Sequence, residues 1–225
     1  MIGVVLAILI LASVVMAGFM LINGSLSRRS VCYAIMVMCI SVYTIIGYIW
    51  TAGNDETVLS RAYLIISTIV FVVFIYSVYL AFLSLMPLKN KTFMLAVVAG
   101  AVPIIIYLAV NVGKPELWEI TSENGLRSMT PSDMWLIIHQ YIYVLSYVGI
   151  AVYCSVKNMQ LTKGVMRKRA KMAMLGLTIG FTIAMSFEVL LGATGYGHSL
   201  MHMVMFVLIF CSYKTFMDEP IVANS

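Results

Sequence analysis

Apolar residues fill the chain in long runs broken by short polar intervals. The runs cover 2–23, 31–53, 61–86, 92–112, 134–156, 172–194 and 198–217, with Pro87 closing the third. Each is close to the ~20 residues a helix needs to cross a hydrocarbon layer. Only helices and closed barrels satisfy their own backbone in lipid, and these runs are too long and uniformly apolar for barrel strands. The pattern therefore predicts one all-α integral membrane domain over 1–225, a bundle of seven transmembrane helices.

Composition strengthens that reading. Of 225 residues, 62% are hydrophobic and 10% charged, whereas soluble domains carry about 25% charged residues. No soluble core of this size hides so much apolar surface. Seven spans leave no length for a separate catalytic domain. The first run has no basic segment before it and no small-residue cleavage site, so it is expected to stay as a span.

Charge adds an orientation. The 1–2, 3–4 and 5–6 intervals hold Arg28, Arg29, Lys89, Lys91, Lys157, Lys163, Arg167, Lys168, Arg169 and Lys171, and no acid. The alternate intervals hold Asp55, Glu56, Glu116, Glu119, Glu123 and Asp133 against Arg61, Lys114 and Arg127. The bias predicts an outside N-terminus and a cytoplasmic C-terminus, with the membrane crossed many times. It also accounts for the net charge of +5 without nucleic acid. The basic 5–6 interval is expected to sit against the anionic inner leaflet, and also to extend the fifth or sixth helix. Cys32, Cys39, Cys154 and Cys211 fall in spans or at their inner ends, where disulfides are not expected. The 4–5 interval is expected to form a hairpin or lid on the outer face, or a solvated connector.

Ionisable groups inside spans are costly and usually face the bundle interior. His139 falls in the fifth run, Glu188 in the sixth and His202 in the seventh. At 1.5 Å per residue all three stand within about 10 Å of the outer helix ends. Asn111 lies just above them, and Tyr143 shares a helix face with His139. These five residues outline an outer-leaflet pocket for a small or amphipathic ligand. Glu188 would anchor the ligand or accept a proton, or else serve as interhelical glue. His198 and His202, four apart, also have the spacing of a zinc pair, and methionines beside them suit Cu(I). Methionine is abundant throughout, so the pocket reading ranks first, with no metal and no cofactor. There is no Gly-rich phosphate loop and no G-x-S-x-G elbow. No lysine stands at mid-depth in the last run to carry a retinal.

Several segments taken together resemble the N-terminal seven-helix region of bacterial histidine kinases and diguanylate cyclases. They are "SLSRRS" after the first run, "GYIW" closing the second, "MWLIIHQYIYVLSYVGI" opening the fifth, "MRKRAKMAMLGL" leading into the sixth and "FCSYKTFMDE" at the exit. The resemblance implies a sensor or receptor module without enzymatic activity, signalling to a cytoplasmic partner. No kinase or cyclase sequence follows Glu219, so the module is expected to stand alone or to be part of a longer protein. Arg167, Lys168 and Arg169 are then the expected docking residues. Locally, "GYGHSLMHMVMFVLIF" is similar to the last span of hemolysin III and adiponectin-receptor membrane hydrolases, whose HxxxH binds zinc. That similarity implies a zinc hydrolase using His198 and His202, but the second and third runs lack the family's histidine and acid. An accessory subunit of a membrane complex is the third reading.

Overall fold

The computed structural model describes residues 2–23, 27–52, 58–111, 118–123, 126–131, 134–191 and 196–216. Its helices are α1 (Ile2–Asn23), α2 (Arg28–Ala52), α3 (Val58–Ser84), α4 (Asn90–Asn111), α5 (Met134–Leu161), α6 (Gly164–Leu191) and α7 (Tyr196–Phe216). Each matches one apolar run. One hairpin, β1 (Trp118–Glu123) with β2 (Leu126–Pro131), adds the only strands among the described residues. Trp118 pairs with Pro131 and Glu123 with Leu126. Asn124 and Gly125 stand between the last pair, and Asn-Gly is the sequence two-residue hairpins favour. Strand β2 lies beside α2 and α5.

Local chemistry sets the ends. Ser27 caps α2, its hydroxyl accepting the Ser30 N–H at 3.2 Å, which satisfies one of the free first-turn donors. Helix α3 closes with tightened turns, Leu85 N–H to the Phe82 carbonyl and Met86 N–H to the Leu83 carbonyl, before Pro87.

The largest departure from the sequence pattern is between the fifth and sixth runs. The expected spans stop at 156 and resume at 172, but α5 continues to Leu161 and α6 begins at Gly164. The expected helix extension is observed on both sides of the turn. Lys, Arg, Met and Gln are good helix formers, so charge ends the hydrocarbon segment without ending the helix. The chain reverses through Thr162 and Lys163 into Gly164, whose φ of 57° is a conformation glycine adopts without a Cβ penalty.

Helix α3 packs on α2, α4 and α5; α6 packs on α5 and α7; α7 closes back on α2 and α1. Tyr33, Phe74, Phe82, Phe206 and Phe216 fill the interior. Buried Ser41, Thr44, Ser77, Ser84, Ser155 and Ser212 each donate to a carbonyl one turn back in their own helix, so they add no unpaired group to the core. The closest helix pair is α6–α7. A Cβ on Gly176 would lie 2.5 Å from the Cys211 Cβ, and one on Gly180 3.2 Å from the Leu208 Cβ. This small-xxx-small spacing lets two backbones approach.

The outward surface is apolar. Ile8, Leu11, Leu95, Ile105, Ile142 and Leu145 are all more than half exposed. Among the described residues, Arg28–Gly47 and Ile142–Leu161 are long and apolar enough to cross a membrane. Ala7–Ile22, Thr68–Ser84, Asn90–Ile106 and Met203–Phe216 are apolar but shorter.

Candidate functional site

Asn111 is the last residue of α4, His139 lies on α5, Glu188 on α6, and His198 and His202 on α7. Helices α5, α6 and α7 are successive neighbours, and α4 touches α5. The side chains of these five residues lie outside the described residues. Among the described residues, no three His, Cys, Asp or Glu side chains gather to hold a metal ion. All four cysteines are free thiols.

Tyr143 is described, and it belongs to a cluster built around α4. It is buried, with its ring 4.8 Å from that of Tyr147. Tyr147 in turn meets Tyr79 edge-on at 5.3 Å and Tyr76 edge-on at 6.3 Å. Tyr76 and Tyr79, three apart on α3, stack at 5.7 Å. Three of the four hydroxyls donate to α4 carbonyls. Tyr76 reaches Val97 at 2.6 Å, Tyr79 reaches Ala96 at 2.9 Å, and Tyr147 reaches Gly100. A Cβ on Gly100 would come within 2.6 Å of the Tyr79 ring, so glycine is what admits that ring against the α4 backbone.

These carbonyls lie in the two turns before Pro103, which stands inside α4. Proline supplies no N–H and crowds the carbonyl four residues earlier, here Ala99, which weakens the helical ladder locally. The tyrosines bind carbonyls on either side of Ala99 rather than Ala99 itself, and so brace the helix around the proline. Chemically the cluster offers hydroxyl donors and aromatic faces in an apolar setting. It contains no nucleophile paired with a base among the described residues.

A second polar assembly gathers at the end holding the α1–α2, α3–α4 and α5–α6 turns and the end of α7. Arg28 donates to the Leu88 and Met86 carbonyls, both at 3.2 Å, and its guanidinium lies 4.3 Å from the Phe93 ring centroid. One side chain thus ties α2 to the α3–α4 turn. The Tyr33 hydroxyl crosses to the Ile209 carbonyl at 2.6 Å, and the Thr215 hydroxyl to the Arg169 carbonyl at 2.7 Å. Of the three expected docking residues, Arg167 and Lys168 are exposed. Arg169 is half-buried, its guanidinium 3.7 Å from the sulfur of Met166 one turn back on the same helix, while its backbone carbonyl is the group that Thr215 of α7 binds.

The sequence pattern singles out Tyr143 among these residues and assigns nothing to Tyr76, Tyr79, Tyr147, Gly100 or Pro103. A proline in mid-run and a tyrosine pair three apart were the available signals. The Gly176–Gly180 spacing was equally readable and also passed over. In comparisons with protein-family models, with curated proteins and with solved structures, nothing matches this chain.

Proposed function

We propose that this chain is a seven-span membrane receptor-type module of a bacterial inner membrane, with its basic end in the cytoplasm. The observation that carries the membrane part is the surface, whose outward helix faces are apolar over a well-packed, hydroxyl-satisfied interior. In water such faces would associate; in lipid they are solvated. Every turn at the basic end holds cations, as the positive-inside bias requires.

The ligand site in this reading is the outer half of α4 to α7, where Asn111, His139, Tyr143, Glu188 and His202 sit on neighbouring helices. The ligand is a small or amphipathic molecule with a group that Glu188 can hold. Tyr143 links the site to α4 through Tyr147. Binding acts by favouring one of two helix arrangements, which requires different affinity for each. The output surface is the α5–α6 turn, with Arg167 facing a cytoplasmic signalling protein. The resemblance to kinase and cyclase sensor regions supports the same assignment.

The test is a thermal-shift screen of small acidic, basic and amphipathic compounds on the purified protein in nanodiscs. At least one compound should raise the unfolding midpoint of the wild type and lose that effect in Glu188→Gln and in His202→Ala. If both variants respond to every compound as the wild type does, the pocket assignment fails. Stoichiometric zinc in the purified protein, lost in His202→Ala, would instead favour the hydrolase reading.

A further inference from the structure

The α5–α6 hairpin carries an ordered sequence of side chains on its outward surface. The two helices pack side by side and reverse through the tight turn at Thr162 and Lys163. Residues equally far from that turn therefore stand level. Ile150 on α5 is level with Leu175 on α6, and Tyr153 with Met172; all four are exposed. One turn nearer the reversal, Lys157 is level with Lys168. The Lys157 ammonium lies 5.9 Å from the Tyr153 ring centroid, and Lys168 and Lys171 are exposed, three apart on α6. The outward surface thus reads apolar rung, aromatic and methionine rung, then a band of three cations.

We infer that this surface binds an anionic phospholipid of the basic-end leaflet. Lys157, Lys168 and Lys171 would hold the phosphate and the rungs below them would hold the acyl chains. The inference rests on the membrane reading above. Continuity decides the occupant. A free phosphate or an acidic protein needs the cations alone and gains nothing from Ile150, Tyr153, Met172 and Leu175 directly beneath them. A phospholipid matches both halves in the order and spacing observed. Two facing helices also present the cations as a cluster, which discriminates better than a diffuse surface charge.

The test uses the full chain in nanodiscs of phosphatidylcholine containing a minor fraction of fluorescent phosphatidylglycerol. Enrichment of the probe beside the protein is read by energy transfer from a dye on the α5–α6 turn. The wild type should concentrate phosphatidylglycerol about tenfold over the bulk composition. The triple variant Lys157→Gln, Lys168→Gln, Lys171→Gln should abolish this. A second triple, Lys89→Gln, Lys91→Gln, Lys214→Gln, removes the same charge from exposed positions at the same end and should keep it. Equal loss in both triples means a general surface potential and overturns the site. So does a wild type without enrichment, or a hairpin triple that loses only a co-purifying acidic protein. Failure of the membrane reading is separate, because the protein would then leave native membranes in alkaline carbonate.

Discussion

Two helices of this bundle are held in opposite ways. Helix α7 meets α6 through glycines, backbone close to backbone, with Cys211 and Leu208 against Gly176 and Gly180. Helix α4 is met by side chains, three tyrosyl hydroxyls reaching carbonyls in the two turns before Pro103. The first contact is continuous, apolar and intolerant of added volume. The second is a set of discrete directional bonds, each of which can be removed alone. In lipid no hydrophobic force favours helix association, so close packing and interhelical hydrogen bonds must supply it. This protein uses one device on each side of α5.

The sharpest way to break the comparison is at Gly176. Gly176→Leu should destabilise by about 3 kcal/mol, read as the thermal midpoint in detergent. Cys211→Gly, which removes the atom a new Cβ would strike, should restore part of the loss. An unchanged midpoint in Gly176→Leu would show that the seam is not close-packed. Next is Arg28, the polar tie for the turn that leads into α4. Arg28→Gln removes charged hydrogen bonds to two carbonyls and should cost about 2 kcal/mol. Hydrogen exchange should rise at residues 86–93 while α6 and α7 stay protected; exchange rising evenly over all helices would contradict a local clamp.

A gentler step on the seam is Gly180→Ala, where the nearest atom leaves more room, with an expected cost of about 1 kcal/mol. A cost as large as that of Gly176→Leu would mean the two glycines are equivalent, which the distances deny. The smallest effects belong to the tyrosines. Tyr76→Phe, Tyr79→Phe and Tyr147→Phe should each cost about 0.6 kcal/mol and should add when combined. If any one of them alone collapses the bundle, α4 is not held by separable bonds.

Helix number and approximate limits were legible because each helix coincides with one long apolar run bounded by polar residues. Ile2–Asn23 and Met134 as the first residue of α5 were read to the residue. The ends of α5 and α6 were not, because a hydropathy pattern marks where apolar solvent stops and helix propensity continues past that point to Gly164. The kinship of Arg28 with Met86, Leu88 and Phe93 was hidden for another reason. It joins residues about sixty positions apart, and no local periodicity carries such information. Sequence also gave equal weight to Arg167, Lys168 and Arg169. Only packing separates them, since Arg169 is half-buried while Arg167 and Lys168 are exposed. The pocket residues were legible as ionisable groups on neighbouring helices, and of them Tyr143 is the one whose side-chain surroundings are described.

The Tyr33 hydroxyl and the Ile209 carbonyl also set an order of events during biosynthesis. Helix α2 leaves the ribosome early, but the acceptor for its buried hydroxyl is made 176 residues later. Until α7 arrives, Tyr33 must be served by a substitute such as water, a headgroup or a carbonyl of its own helix. The ring of Phe216, 5.0 Å from Tyr33, is later still. Final closure of the bundle therefore waits for α7, and a chain halted before Ile209 would lack the acceptor that Tyr33 uses.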